Sequence, residues 1–209
     1  MALGAVGTAA MGADGPPTVA PATPDAALAE LQQGNQRFVK GEVVQPRREL
    51  ERLRSLAEGQ KPYAAVLGCA DSRVPVELVF DEGFGDIFVV RVAGNLATAV
   101  EIASLEYGVA VLGVKVIMVV GHSGCGAVKA ALDGGAVPGQ ISTLYQHIVP
   151  AIDRNNKDLA VAIQANARYQ TRKLRESSTV IADAIKAGTL IVVGGVFDLT
   201  SGKVVPVDV

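Results

Sequence analysis

"VKVIMVVGHSGCGAVK", residues 114–129, passes from an apolar run into a cluster of glycines that holds His122 and Cys125. A short apolar run without polar alternation suits a strand covered on both faces, as in a parallel sheet. Residues 125–133 then read as a helix. Strand, glycine turn and helix in that order form the repeating unit of an α/β fold. The turn itself admits four readings: a phosphate loop, a cysteine nucleophile with a histidine base, a structural turn, or half of a metal site. Lys129 is displaced from its place in a phosphate loop and no Ser or Thr follows it. Residues three apart across a turn rarely give a nucleophile and base in-line geometry.

Working outward, "YAAVLGC" (63–69) and "DIFVVRVAG" (86–94) are further buried strands, and "TAVEIASLEYGVAVLG" (98–113) is helical. Upstream, "PDAALAELQQGNQRFVKGE" (24–42) puts Leu28, Leu31 and Phe38 on one broad face, with Asp25 as the expected N-cap. "RRELERLRSLAEG" (47–59) reads as a second helix. Downstream come helices over 141–153 and 157–187, then a strand, a turn at "TSG" and a final extended piece over 189–208. The alternation predicts a mostly parallel sheet flanked by helices, in a 2-1-3-4-like order. Residues 25–209 are expected to form a single domain. Residues 1–24, small and rich in Gly, Pro and Thr, are expected to be a disordered arm or linker, or the remnant of an export signal. A basic segment that such a signal would need is missing.

Composition narrows the function. Hydrophobic residues make up 49% and charged residues 19%, which describes a globular chain. A net charge of −2 gives no electrostatic case for nucleic acid, and no apolar stretch is long enough for a membrane span. Trp is absent, which argues against a stacking platform for sugars or bases. The chain has only two cysteines, Cys69 and Cys125, and two histidines, His122 and His147. Both cysteines and His122 sit in compact motifs at the ends of apolar runs. His147 has no partner motif and is expected to be structural or exposed.

The second motif is "GCADSRVP" (68–75). Sites in open parallel sheets lie beyond the carboxyl ends of strands, where the winding reverses. If the first and third strands are neighbours, "CADSR" and "HSGC" converge there. Cys69 and Asp71 point to the same side of an extended segment. Two thiolates, an imidazole and either a carboxylate or water make a tetrahedral set suited to Zn²⁺, whereas Mg²⁺ and Ca²⁺ want more oxygens. The metal reading is the one that also accounts for "CADSR".

The two motifs resemble the C-x-D-x-R and H-x-x-C metal motifs of the β-class carbonic anhydrases. "RVAGN" (91–95), "SLEYGV" (104–109) and "GQKP" (59–62) match that family too, in the same order, so the resemblance spans roughly Ala26 to Asp208. It implies a zinc enzyme that interconverts carbon dioxide and bicarbonate through a zinc-bound hydroxide. It also implies a dimer or an assembly of dimers, with the N-terminal helices packing on a partner. Cys69, His122 and Cys125 would hold zinc. Asp71 would either be the fourth ligand or pair with Arg73 and take a proton from, or orient, the zinc-bound water. Gln60, Phe88 and Tyr107 would line the substrate pocket, Gln60 from across the dimer interface. Some members carry a second, inhibitory bicarbonate pocket built on Trp, Arg and Tyr. Here Arg91 matches the Arg, but Val66 and Phe197 stand in the other two places, so that pocket is not expected. The alternative is a catalytically silent zinc-binding homologue that senses carbon dioxide or bicarbonate, or serves structurally. The compartment, cytoplasmic or exported, is not readable.

Overall fold

The computed structural model describes residues 20–209. The reading of residues 1–24 as an arm or signal remnant therefore falls mostly outside the described residues. Five strands form one sheet: β1 (Ala64–Gly68), β2 (Ile87–Arg91), β3 (Val116–His122), β4 (Ile191–Phe197) and β5 (Val204–Val207). Their spatial order is β2-β1-β3-β4-β5. The first four are parallel and β5 returns antiparallel to β4. The winding thus reverses between β1 and β3, as the 2-1-3-4-like order predicts.

Every residue of β1 and β3 is buried, because helices cover both faces of the sheet. The two-residue period of the strands sorts their side chains. Ala64, Val66, Val116, Met118 and Val120 enter one core, and Ala65, Leu67, Ile117 and Val119 enter the other. Against the first core lie α1 (Pro24–Lys40), which contributes Ala27 and Leu31, and α3 (Val76–Val79). The opposite face carries α4 (Ala99–Ala110), α5 (Gly126–Asp133), α7 (Leu159–Ser177) and α8 (Thr179–Lys186). The short α2 (Leu50–Ser55) and α6 (Tyr145–Ile148) complete the helices.

Three local expectations are corrected. Thr23, not Asp25, caps α1: its hydroxyl accepts from the Ala26 N–H, and Pro24 occupies the first helical position, where a missing N–H costs nothing. The second helix is half its expected length. Arg47 takes a φ of 52°, outside the helical region, and its guanidinium is tied to Glu82 and Asp86, so no helix starts there. The 141–153 segment breaks into a 3₁₀ turn (Gly139–Leu144), α6 and a second 3₁₀ turn (Val149–Ala151); Pro150, which lacks the N–H that a continuing helix needs, accounts for the break after α6.

Candidate metal centre

β1 and β3 are hydrogen-bonded neighbours, with Gly68 in register with Val120. Cys69 follows β1 directly, His122 is the last residue of β3, and Cys125 is the N-cap of α5. The sheet thereby delivers all three to one point. The two sulfurs and a ring nitrogen of His122 lie within 4.8 Å of one another, and all three residues are buried. Both cysteines are free thiols. His122 Nδ1 lies 3.0 Å from the Ser123 carbonyl and acts there as donor, which leaves Nε2 as the basic nitrogen. Nε2 is buried and has no hydrogen-bond partner among the described residues. An unsatisfied buried acceptor costs about 1–3 kcal/mol, and a cation shared with two sulfurs removes that cost. Two thiols, an imidazole and an orphaned lone pair fit zinc by number, softness and burial.

The charge in this cluster is unusual for a dry site. Cys69 is held down to about 4, chiefly by the hydrogen bond from Cys125 against the opposing effect of burial, with His122 and the Gly94 N–H adding to it. The Cys125 thiol is pushed up by the same contact and by burial. Burial opposes the imidazolium of His122, yet the Cys69 sulfur, the Ser123 carbonyl and Asp71 raise its affinity for a proton overall. The three donors thus compete for protons that a metal would displace.

Asp71 stands beside this group. Arg73 grips its carboxylate with a fork, Nε to Oδ1 at 2.9 Å and Nη2 to Oδ2 at 2.7 Å, and the Arg73 N–H adds a third bond at 2.9 Å. The Arg73 fork holds Asp71 well below the usual carboxylate range, against the opposing effect of burial. Oδ2 is 3.7 Å from His122 Nε2. Arg91 pins the same loop from below, donating to the carbonyls of Cys69 at 2.9 Å and Asp71 at 2.6 Å. Val66 is fully buried in the core, and the Phe197 ring packs near that of Phe38.

Gln60, Phe88 and Tyr107 are not brought to these donors within the chain. Phe88 and Tyr107 meet each other, with ring centroids 6.2 Å apart. Phe88 is in register with Ala65, four positions before Cys69, so it sits about 13 Å down the strand from Cys69. It packs into the core with Leu67 and Leu105, whereas Cys69 belongs to another cluster with Leu96 and Cys125. Tyr107 is 48% exposed and Gln60 lies exposed between α2 and β1. The His147 imidazole is outside the donor group; burial, with Lys173 nearby, lowers its pKa.

The sequence reading did not single out the groups that hold the donors. The Gly94 N–H donates to Cys69 Sγ at 3.3 Å. Ser123, between His122 and Gly124, is tied to the end of β4: its N–H donates to the Phe197 carbonyl and its Oγ accepts from the Leu199 N–H. Asn166 and Gln170 were missed as well. Their signal was available: both fall, with Thr171, on the face of α7 that carries Ala162, Ile163, Ala167 and Leu174.

Comparison with known proteins follows the same lines. A family profile described as carbonic anhydrase matches residues 64–204. A carbonic anhydrase of Mycolicibacterium smegmatis is 42% identical over 87% of this chain and 92% of its own. Carbonic anhydrase 2 of Mycobacterium tuberculosis is 37% identical over the same shares. Among solved structures, a tetrameric β-carbonic anhydrase of the ascomycete Sordaria macrospora superposes with a TM-score of 0.67 at 28% identity, covering 85% of this chain and 94% of that one. The Coccomyxa β-carbonic anhydrase, solved with acetazolamide, gives 0.67 at 27% identity over 86% and 85%.

Proposed function

Because this chain belongs to the β-carbonic anhydrase family, we propose that it hydrates carbon dioxide reversibly to bicarbonate and a proton at a zinc ion held by Cys69, His122 and Cys125. The observation that carries the proposal is the buried Cys–His–Cys group with the lone pair of His122 Nε2 left unpaired. When bound, zinc would supply a water-derived nucleophile near neutral pH. The chain's own residues do the rest. The fork from Arg73 keeps Asp71 ionised, with Oδ2 3.7 Å from His122 Nε2, where it can accept a hydrogen bond from a water at the site and orient it. Arg91 fixes the carbonyls of Cys69 and of Asp71 itself, which limits how far the Asp71 backbone can swing.

Carbon dioxide is small and uncharged, so its pocket must be narrow and apolar. Phe88 and Tyr107 supply such surface, and Gln60 supplies an amide for a bicarbonate oxygen. All three lie away from the chain's own donors, and a second copy that lends them resolves the separation. The tetrameric relative is in keeping with such an assembly. Residues 25–209 would then act as one catalytic unit within it.

The test is metal content and stopped-flow hydration of carbon dioxide before and after chelation. Equimolar zinc with hydration lost to chelator and restored by zinc is expected, with inhibition by acetazolamide. Equimolar zinc without turnover would replace the enzyme with a zinc-binding sensor or structural protein. A chain without zinc would end both readings.

A further inference from the structure

Asn166 and Gln170 stand one turn apart on α7 and are 1% and 0% exposed. Buried amides must find partners, and here the partners run in one direction. The Ala97 N–H can only donate, so Gln170 presents Oε1 to it at 3.0 Å. Nε2 of Gln170 is thereby turned to the His147 carbonyl at 2.9 Å and to Asn166 Oδ1 at 3.0 Å. Asn166 is left with Nδ2, which donates to the Gly94 carbonyl at 2.9 Å. Gly94 passes the chain on, since its N–H donates to the Cys69 sulfur at 3.3 Å.

The loop in the middle is held by its own turn and by α7. Gly94 and Asn95 are successive left-handed residues, with φ of 82° and 47°. The Asn95 N–H donates to the Val92 carbonyl at 2.9 Å and closes a tight turn with Gly94 where such a turn favours glycine, but the turn leaves the Gly94 carbonyl and the Ala97 N–H to find partners elsewhere. The amides of α7 grip this loop at Gly94 and at Ala97, on either side of Asn95.

We propose that Asn166 and Gln170 are positioning residues of the metal centre, which aim the Gly94 N–H at the Cys69 sulfur through the 94–97 loop. The inference rests on the zinc reading above. An N–H bond to a ligand sulfur fixes which lone pairs remain for the metal and takes up part of the thiolate charge. Groups that set such a bond act on metal affinity without touching the metal. Sequence position hides this role, because both amides lie some forty or more residues beyond the last donor, Cys125 (166 − 125 = 41).

The test uses the full chain with Gln170→Met and Asn166→Leu, and with Leu174→Ala as control. Leu174 lies on the same helix but enters the core with Leu67 and Leu105. Zinc affinity is measured by chelator competition, the sulfur-to-metal band is read in cobalt-loaded protein, and melting temperature is recorded for each. Zinc affinity should fall about 10- to 100-fold in the amide variants, with a shifted cobalt band. Leu174→Ala should keep wild-type affinity even where it melts earlier. Amide variants that fold and bind zinc within about twofold of wild type would overturn the proposal, as would equal zinc loss in the control. Amide exchange in the wild-type protein tests it without substitution: zinc should slow exchange of the Gly94 N–H, and equal rates with and without zinc would also overturn it. A wild-type chain that binds no zinc would instead overturn the metal reading.

Discussion

Cys125 enters the donor group from the first turn of α5, opposite Cys69 and His122. Each protein ligand supplies one of about four tetrahedral bonds, so none is dispensable. A hydroxyl in place of the sulfur is harder and shorter. Cys125→Ser is therefore expected to abolish most zinc binding and, with it, hydration; stoichiometric zinc by atomic absorption in that variant would remove the ligand assignment. Arg73 makes a different prediction, because it touches no donor. It lowers the pKa of Asp71, and a lowered carboxylate contributes its stability above its unfolded pKa and loses it as pH falls through the folded one. The pair is thus intact throughout the neutral and alkaline range, and any acid limb in that range belongs to another group. Arg73→Ala frees the carboxylate to swing toward the vacated side or onto the metal. Hydration should fall about 10- to 100-fold while zinc stays near one per chain. Wild-type turnover in stopped flow would show the fork to be unnecessary.

At the scale of elements, the strands were legible and several helices were not, for a physical reason. β1 and β3 are apolar runs buried on both faces, and sequence alone marks such runs. The motifs at their ends were readable because Cys and His are scarce in this chain, so each position stood out. Helix ends depend on groups far away in sequence: α2 is shortened by the hold of Glu82 and Asp86 on Arg47, which no local pattern reports. Close approach of backbones is equally hidden. Gly34 lies in the middle of α1, where helix propensity favours Ala by about 1 kcal/mol. A Cβ there would overlap the Phe80 carbonyl at the end of α3, a backbone atom that cannot turn aside. Gly34→Ala is expected to destabilise the protein by about 1–3 kcal/mol, against its propensity, because α1 must move off the sheet. Urea denaturation decides it, and a stability equal to or above wild type would show that α1 yields freely.

Over the whole molecule, a buried ionic cluster fastens the segment between α1 and α2 to the loop before β2. Arg47 bridges Glu82 and Asp86 at 2.8 Å each, and the Tyr63 hydroxyl donates to Glu82 at 2.7 Å. Two carboxyls with one guanidinium cannot both be comfortably ionised in a dry place. Burial, with Asp86 adding to it, pushes Glu82 up to about 8, although Tyr63 and Arg47 oppose the shift. A raised pKa means that its stability is full below the unfolded value and is lost as pH rises through the folded one. Thermal stability should therefore decline from about pH 4.5 to about pH 8 and level off above that. Glu82→Gln, though less stable throughout because its amide faces Arg47, should lose that slope; an unchanged slope would place the titration elsewhere. If a second copy lends Gln60 as proposed, the same cluster bears on assembly, because the chain it anchors leads through α2 to Gln60. Gln60 is exposed, Tyr107 is half exposed, and neither reaches the chain's own donors. If they bind substrate as proposed, the site is complete only when another copy presents them. The isolated chain should accordingly be a poor catalyst, and light scattering at assay concentration should give at least a dimer. Dilution should lower specific activity in step with the dimer fraction. Full specific activity from a monomer would mean that substrate is held by groups other than Gln60, Phe88 and Tyr107.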